Sequence, residues 1–284
     1  MSNLKSYLFE TNAVKVCHGD KPFWYTSGKI GPYFINTHFV YGSEQAAADF
    51  LSFIDDNKDD KLALPKKLLD RVLKQYKENT IYHDVVNEMV EFINSNINVD
   101  DIDYISGGER RDWYFSVIAS YLLKKPHLTI FKDLDIVVSD STFENTTVST
   151  SLNGKKVLHI ADLMNQASSY IRAWIPAIQD LGGELVWSLV LVDRMQGGKE
   201  RLEDLGIKAY SVAQIDVDLF RTALDKGIID DAQFDLVRDF IKDPDGSMEK
   251  FVKDHPEFIE NSLNADAKTA GRAQLCIDNH FYGL

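Results

Sequence analysis

Residues 158–169 read LHIADLMNQASS, and this stretch decides the fold class. An apolar pattern typical of a buried strand covers residues 156–160, and a helical pattern covers residues 169–181. The turn between them ends in Ser168 and Ser169. A helix N-terminus favours a phosphate group because it offers unpaired amides and the positive end of the helix dipole. The stretch therefore predicts either a phosphate-binding turn or an ordinary strand-to-helix turn.

The same alternation of strands and helices extends in both directions from this stretch. Strands are predicted at residues 102–105, 128–131, 156–160, 185–192 and 208–212, with helices at 113–123 and 169–181. This order implies an α/β fold with a parallel sheet that is covered on both faces. Such sheets bind ligands at the carboxyl ends of their strands, so the candidate ligand loops are 106–112, 161–169 and 193–198.

Helical patterns dominate the rest of the chain. They are predicted at residues 1–16, 43–55, 66–78, 81–96 and 216–262. Ser43 is the expected N-cap of the second of these helices. Residues 55–66 read as a charged loop that contains proline, and residues 262–284 give weak signals. The sheet pattern is therefore flanked by helical additions on both sides.

The composition is that of an ordinary globular protein, with 284 residues of which 44% are hydrophobic and 26% are charged. The formal charge of −13 repels nucleic-acid phosphates and anionic lipid, so neither partner is expected. No apolar run approaches the ~20 residues of a membrane helix, and the N-terminus lacks a signal-peptide pattern. Cys17 and Cys276 indicate neither a zinc site nor a disulfide framework. We expect a cytoplasmic protein in which a local basic pocket binds a phosphorylated ligand.

Residues 23–36, which read FWYTSGKIGPYFIN, are dense in aromatic residues and glycine. Gly28, Gly31 and Pro32 fix a tight turn. Aromatic rings beside free backbone amides form a slot for a flat heterocycle, which stacking and edge hydrogen bonds hold. An aromatic-rich edge hairpin without a ligand gives the same pattern, so both interpretations stay open.

Two further turns carry arginines at the ends of predicted strands. Residues 106–112 read SGGERRD, and a guanidinium such as that of Arg111 is a competent phosphate partner. A solvated charge cluster is the alternative there. Residues 192–198 read VDRMQGG, in which Arg194 either contacts a ligand or pairs with Asp193 to hold the loop.

Residues 23–36 resemble the N-terminal hood of orotate phosphoribosyltransferases. The residues that match in register are Phe23, Ser27, Gly28, Pro32, Tyr33, Phe34 and Asn36. This resemblance implies the type I phosphoribosyltransferase fold, which is α/β with a parallel sheet and flanking helices. The domains it implies are a phosphoribosyltransferase-like domain at 1–215, with a hood at about 10–40 and a helical insertion at about 55–98, and a helical C-terminal extension at 216–284.

The resemblance also assigns ligand roles to the three loops. Asp162 matches an acid that holds the ribose hydroxyls of phosphoribosyl pyrophosphate, which makes it the expected catalytic residue. Arg111 falls on the lysine position of the pyrophosphate turn, and Arg194 matches the arginine that contacts orotate. The expected substrate-binding residues are Ser27, Gly28, Tyr33, Phe34, Arg110, Arg111, Asn165, Ser168, Ser169 and Arg194. Mg²⁺ is expected to bridge the ribose hydroxyls and the pyrophosphate, and the family assembles as a homodimer.

The sequence departs from the family pattern in three places. Ala161 replaces the first of two acids, and the small residues of the phosphate turn become Asn165, Gln166 and Ala167. Residues 132–146 are acidic where the family has a cationic mobile loop. Two functions follow as expectations: transfer of phosphoribosyl to orotate or a related base in pyrimidine biosynthesis, or a catalytically degenerate homologue that binds a nucleobase or nucleotide and acts in regulation.

Overall fold

The computed structural model describes residues 3–19, 21–148 and 151–284. The chain divides into two compact units. The first consists of Met1–Ala13 and Thr37–Ile215, and the second of Val14–Asn36 and Asp216–Leu284. Most of the expected hood therefore groups with the C-terminal helices, and the functional division of the chain stays a prediction.

The strands and helices are numbered in chain order. The strands are β1 Val14–Val16, β2 Phe23–Trp24, β3 Ile30–Gly31, β4 Tyr33–Ile35, β5 Tyr104–Gly108, β6 His127–Ile130, β7 Ile136–Ser139, β8 Thr146–Val148, β9 Lys156–Met164, β10 Glu184–Asp193 and β11 Lys208–Gln214. The helices are α1 Asn3–Glu10, α2 Glu44–Asn57, α3 Leu64–Glu78, α4 Thr80–Asn96, α5 Trp113–Leu122, α6 Ile175–Asp180, α7 Gly198–Asp204, α8 Val217–Asp225, α9 Asp231–Lys242, α10 Pro244–Asp254, α11 Glu257–Leu263 and α12 Ala267–Asp278.

The first unit is built on a sheet with the strand order β11-β10-β9-β5-β6-β7-β8. The first five of these strands are parallel, and β7 and β8 add an antiparallel edge. The predicted α/β fold with a largely parallel sheet is thereby confirmed. β10 is buried along nearly its whole length, as expected for an interior strand of a sheet that is covered on both faces.

The alternation of side chains along β9 shows how both faces are covered. Val157 and Ala161 belong to a buried cluster with Ile178 of α6. Leu158 and Ile160 point to the opposite face, because successive strand residues alternate, and both are fully buried. Helix α5 packs against β5 and β9, and α3 and α4 pack against α5.

Several helices and strands begin or end at residues other than the predicted ones, for local reasons. The helix predicted over 1–16 ends at Glu10, and Asn12 takes a left-handed backbone conformation before β1 begins. β9 continues to Met164, so the ligand loop predicted at 161–169 starts four residues later. Ser43 caps α2 as expected, since its hydroxyl accepts the amide of Ala46 at 3.1 Å.

The weakly predicted C-terminus also contains a helix, α12, which Asp266 caps. A π-helical turn, Tyr170–Trp174, precedes α6 within the predicted helix 169–181. Cys17 and Cys276 are both buried. Among the described residues, no helix has the length and apolar character that crossing a membrane requires.

The acidic span 132–146 is partly a hairpin, because β7 pairs with both β6 and β8. The turn of this hairpin is organised by Asp140, whose carboxylate accepts the amides of Thr142, Glu144 and Asn145. The side-chain amide of Asn145 also donates to this carboxylate. This side-chain bond is the largest cause that lowers the pKa of Asp140 to about 2, and the backbone bonds add to it. The β-branched residues of β7 explain the strand, since they fit a pleated surface.

Candidate functional site

The ligand loops after β5 and β9 meet because the two strands are neighbours in the sheet. A cavity of about 340 Å³ lies between these loops. The predicted site residues that line it are Arg110, Arg111, Asp162, Asn165, Ser168 and Ser169. The structure therefore brings together predicted site residues from two separate motifs, 106–112 and 161–169.

Asp112 joins the two loops at the floor of this cavity. One carboxylate oxygen accepts the amide of Gly108 at 3.1 Å, and the other accepts the amide of Asp162 at 3.2 Å. The side chain is buried, with a residue exposure of 8%. Because a buried carboxylate needs hydrogen-bond donors, these bonds fix the turn after β5 against the end of β9. Asp112 ends the stretch SGGERRD, and the sequence alone predicted no role for it.

His159 lies behind Asp112 in the interior of the sheet. Its Nδ1 is 2.9 Å from the Ser106 hydroxyl, and its Nε2 lies 3.4 Å from Asp112 without the alignment of a hydrogen bond. The ring stacks on Trp174 and meets Tyr170 edge-on. A polar residue in an otherwise apolar strand is the sequence signal that could have predicted this contact.

The carboxyl group of Asp162 is held close to a second carboxylate. Burial, followed by the negative charge of Asp112, raises the pKa of Asp162 to about 7, and Arg111 opposes the rise. A carboxyl with such a pKa takes up and releases protons near neutrality. Perturbed groups of this kind cluster in functional sites, which makes Asp162 the chemically distinctive residue of the cavity.

The turn that follows β9 is shaped by close approaches of the backbone. Ala167 adopts a left-handed conformation with φ of 53°, which glycine adopts without strain. A Cβ atom on Gly198 would lie 2.5 Å from the carbonyl oxygen of Asn165, so glycine is required there. Arg201 donates to the carbonyl of Gln166 at 2.9 Å. The turn after β9 is therefore supported by α7, and Asn165, Ser168 and Ser169 of this turn line the cavity.

The turn after β5 needs both of its glycines. A Cβ atom on Gly107 would lie 2.1 Å from the hydroxyl of Ser116, and one on Gly108 would lie 2.2 Å from the ring of Trp174. Arg110 pairs with Asp55 at the end of α2. Arg111 is exposed at the mouth of the cavity.

Arg194 lies on a neighbouring loop and is not part of the cavity wall. Its amide donates to the carbonyl of Met164 at 2.9 Å, which ties the loop after β10 to the loop after β9. Asp193 is buried, and its carboxylate accepts the amide of Met195 at 2.8 Å. Burial raises the pKa of Asp193. The predicted contact of Arg194 with a ligand stays a prediction.

The hood residues belong to the second unit, where much of their aromatic surface is covered. The ring of Tyr33 is buried against Phe220 and Phe240, and the ring of Trp24 stacks on Phe258. Trp24 also donates to the Ser262 hydroxyl at 3.1 Å. The aromatic residues expected to form a heterocycle slot therefore largely form a core with the C-terminal helices.

The tip of the hood has a different environment from its strands. Ser27 is exposed, and Gly28 takes a φ of 83° beside the backbone of Leu275. Phe34 is half-buried and meets Phe23 edge-on. Of the four predicted hood contacts, Ser27 and Phe34 present accessible side chains within this unit, whereas Tyr33 does not.

Comparison with known proteins links this architecture to phosphoribosyltransferases. No protein-family model matches the chain. An orotate phosphoribosyltransferase of Sulfurisphaera tokodaii is 28% identical over 171 residues, which is 60% of this chain and 81% of the relative. One from Saccharolobus solfataricus is 34% identical over 71 residues, or 25% of this chain and 36% of the relative. An adenine phosphoribosyltransferase of Aliivibrio fischeri is 33% identical over 92 residues, or 32% of this chain and 50% of the relative.

Solved structures share the fold. UMP synthase of Leishmania donovani superposes with a TM-score of 0.57 at 18% identity, over 85% of this chain and 42% of that one. Orotate phosphoribosyltransferase of Francisella tularensis gives 0.53 at 13% identity, over 84% of this chain and 96% of that one. The enzyme of Aeropyrum pernix gives 0.52 at 17% identity, over 80% and 99%. The resemblance to orotate phosphoribosyltransferases and the type I fold are confirmed.

Proposed function

From a chain with the phosphoribosyltransferase fold and homologues among the orotate enzymes, we propose a phosphoribosyltransferase that acts on orotate or a related base in pyrimidine nucleotide biosynthesis. The observation that carries this proposal is the cavity between the loops after β5 and β9, in which the carboxylate of Asp112 accepts the amides of both Gly108 and Asp162. The relatives include both orotate and adenine enzymes, so the base is part of the proposal.

The six predicted site residues that line the cavity each have a role in this reaction. Asp162 accepts the ribose hydroxyls of phosphoribosyl pyrophosphate, and Ser168, Ser169 and Asn165 bind its 5-phosphate. Arg111, with Arg110 beside it, binds the pyrophosphate, as a guanidinium does by paired hydrogen bonds. In the transfer, a ring nitrogen of the base forms a bond to the anomeric carbon while the bond from that carbon to pyrophosphate breaks.

The carboxylates of the site fit a divalent cation that enters with the donor. The described residues contain no group of three or more His, Cys, Asp or Glu side chains that would hold a metal alone. Burial and then the negative charge of Asp112 raise the pKa of Asp162, however, and a cation bound there would offset the repulsion between the two carboxylates. When bound with the substrate, Mg²⁺ would supply positive charge that offsets the charge of the leaving pyrophosphate. Asp162, through the ribose hydroxyls, is the residue that positions that complex.

The second role, a nucleobase- or nucleotide-binding regulatory protein, also has specific observations in its favour. Ala161 leaves a single acid at the ribose position, and the methyl group of Ala167 lines the phosphate turn. The span of the cationic mobile loop is here occupied in part by β7 and β8. Each change removes a group that would stabilise the transition state, which typically costs about a hundredfold in rate.

Steady-state turnover with orotate, phosphoribosyl pyrophosphate and Mg²⁺ tests the proposal, with adenine as the alternative base. The control is Asp162→Ala, which removes the ribose contact. We expect turnover well below ~10 per second, the median for enzymes, that is lost in the control. No turnover with any base, together with base or nucleotide binding by calorimetry, would contradict the transferase and support the regulatory role.

The contact of Arg194 with the base carboxylate is proposed separately. Arg194→Ala is expected to weaken orotate binding in calorimetric titration and to leave ribose 5-phosphate binding unchanged. The hood contacts of Ser27, Gly28, Tyr33 and Phe34 remain proposals of the same kind. A homodimer and a cytoplasmic location are also proposals, and sedimentation equilibrium tests the first.

A further inference from the structure

His159 of β9 lies directly behind the wall of the cavity. Its side chain has no exposed surface, and its ring contacts the rings of Tyr170 and Trp174, which both line the cavity. Its Nε2 lies 3.4 Å from Oδ2 of Asp112, which lines the cavity as well. A buried side chain that can carry a proton therefore contacts three residues of the cavity wall, and the proposed function gives it no role.

The two ring nitrogens of His159 have different surroundings. Nδ1 is 2.9 Å from the hydroxyl of Ser106, a fully buried residue of β5. Nε2 faces the carboxylate of Asp112, and no hydrogen bond to Nε2 is formed among the described residues. A serine hydroxyl either donates or accepts, whereas an ionised carboxylate only accepts. The carboxylate of Asp112 therefore decides which of the two nitrogens carries the proton.

A neutral imidazole with its proton on Nε2 suits both neighbours. The positive end of the N–H dipole then faces the carboxylate of Asp112, and the lone pair of Nδ1 accepts the hydroxyl of Ser106. With the proton on Nδ1 instead, the lone pair of Nε2 would face a negative charge at 3.4 Å. Such a repulsion is costly in the interior, where water does not screen it.

We propose that His159 is a positioning residue of the site, in which a proton on Nε2 holds Asp112 as the acceptor of two backbone amides. Asp112 accepts the amide of Gly108 through Oδ2, the oxygen that faces His159, and the amide of Asp162 through Oδ1. His159 thereby acts on both loops of the cavity without touching a ligand. That the cavity receives a phosphoribosyl group rests on the proposed function, whereas the direction of the contact between His159 and Asp112 does not.

A second buried histidine supplies a matched control. His127 of β6 is as fully buried as His159. Its Nδ1 lies 2.9 Å from the hydroxyl of Thr129, and its Nε2 lies 3.0 Å from the hydroxyl of Ser116. Both of these neighbours are hydroxyl groups, so replacing His127 removes a buried imidazole of the same size and leaves the contact to Asp112 intact.

The first test determines the protonated nitrogen directly, in the full chain without a ligand. Nitrogen-15 NMR of the histidine-labelled chain distinguishes protonated from bare imidazole nitrogens, and the signals of His159 are identified by their loss in His159→Gln. We expect a protonated Nε2 and a bare Nδ1 at neutral pH. A bare Nε2 would overturn the proposal, whatever reaction the protein catalyses.

The second test measures the calorimetric affinity of three variants for ribose 5-phosphate. His159→Leu fills the space without a donor and should weaken binding by about tenfold, as expected when a hydrogen bond to a charged group is lost. His159→Gln keeps an N–H donor and should bind within about threefold of the wild type, as should the control His127→Leu. Equal losses in His159→Leu and His159→Gln would overturn the proposal, because the side chain would then only fill space.

Hydrogen exchange separates a failure of this inference from a failure of the proposed function. If the wild-type chain does not bind ribose 5-phosphate, the amides of Gly108 and Asp162 still report on Asp112. Exchange at these amides should be faster in His159→Leu than in His159→Gln or His127→Leu. Equal exchange in all three variants would overturn the positioning role of His159 and would leave the proposed function to the measurement of turnover.

Discussion

At the scale of single residues, the site depends on one carboxylate that binds two backbone amides. Asp112 accepts from Gly108 and Asp162, and its charge contributes to the raised pKa of Asp162. The same side chain therefore controls both the geometry and the protonation of the expected catalytic group. Two variants separate these effects.

Replacing Asp162 with asparagine should change how stability depends on pH. The pKa of Asp162 is raised from 3.8 to about 7 in the folded chain, so its contribution to stability is present in full below pH 3.8 and is lost as the pH rises through 7. Asparagine does not ionise. The stability of Asp162→Asn relative to the wild type should therefore grow by about 3 kcal/mol between pH 5 and pH 8.5.

Urea unfolding at the two pH values measures this difference. Asp140→Asn is the control, because a carboxyl with a pKa of about 2 stays ionised at both. A pH-independent difference for Asp162→Asn would mean that Asp162 ionises at its ordinary pKa.

Replacing Asp112 with asparagine should loosen the two loops. The amide side chain retains one acceptor, so one of the two backbone donors loses its partner at a cost of about 1–3 kcal/mol. Hydrogen exchange at Gly108 or Asp162 should become faster. Asp204→Asn, at an exposed position in α7, should change the free energy of unfolding by less than about 0.5 kcal/mol. Unchanged exchange at both amides in Asp112→Asn would refute the role of this carboxylate.

At the scale of elements, the site forms where α5 and the π-helical turn before α6 pack against the end of β5. β5 ends in Gly107 and Gly108, with Ser116 of α5 against the first and Trp174 against the second. The sequence predicted a turn with a glycine pair at this place, and it gave no indication of which side chains required it. The deciding contacts are made by residues 9 and 66 positions away along the chain.

Gly108→Ala should destabilise the chain, because its Cβ would lie 2.2 Å from the indole of Trp174. Overpacking of this kind costs about 1–3 kcal/mol. Gly271→Ala is the matched control, since no atom lies within 4 Å of its Cβ and it lies in α12. Alanine there should stabilise by about 0.5–1 kcal/mol. Thermal unfolding that gave equal effects for both variants would exclude the steric explanation.

At the scale of the whole molecule, the helices that follow the last strand of the sheet form a unit with a segment near the N-terminus. Residues 14–36 and 216–284 form one compact unit. Within it, the hydroxyl of Tyr282 accepts the amide of Ile30 at 2.9 Å, and Lys29 pairs with Asp245 at 2.7 Å. The C-terminal helices therefore support the segment that resembles a hood.

A chain truncated after Ile215 should lose the order of residues 23–36. The rings of Tyr33 and Trp24 would lose the aromatic partners that α8, α9 and α11 supply. We expect fast hydrogen exchange over residues 23–36 and binding of a hydrophobic dye, with the amides of β9 and β10 still protected. Full protection of residues 23–36 in the truncated chain would contradict this dependence.

The sequence by itself determined the α/β order, the positions of three of the five parallel strands (β6, β10 and β11) to within two residues at both ends, and the loops that line the cavity. These features are local, because side-chain periodicity and helix caps depend on neighbours in the chain. Only the tertiary structure decided the contact of Asp112 with Asp162, the position of His159 behind Asp112, and the partners of the hood. Those contacts join residues tens to hundreds of positions apart, and sheet order and packing, which no local pattern encodes, bring them together.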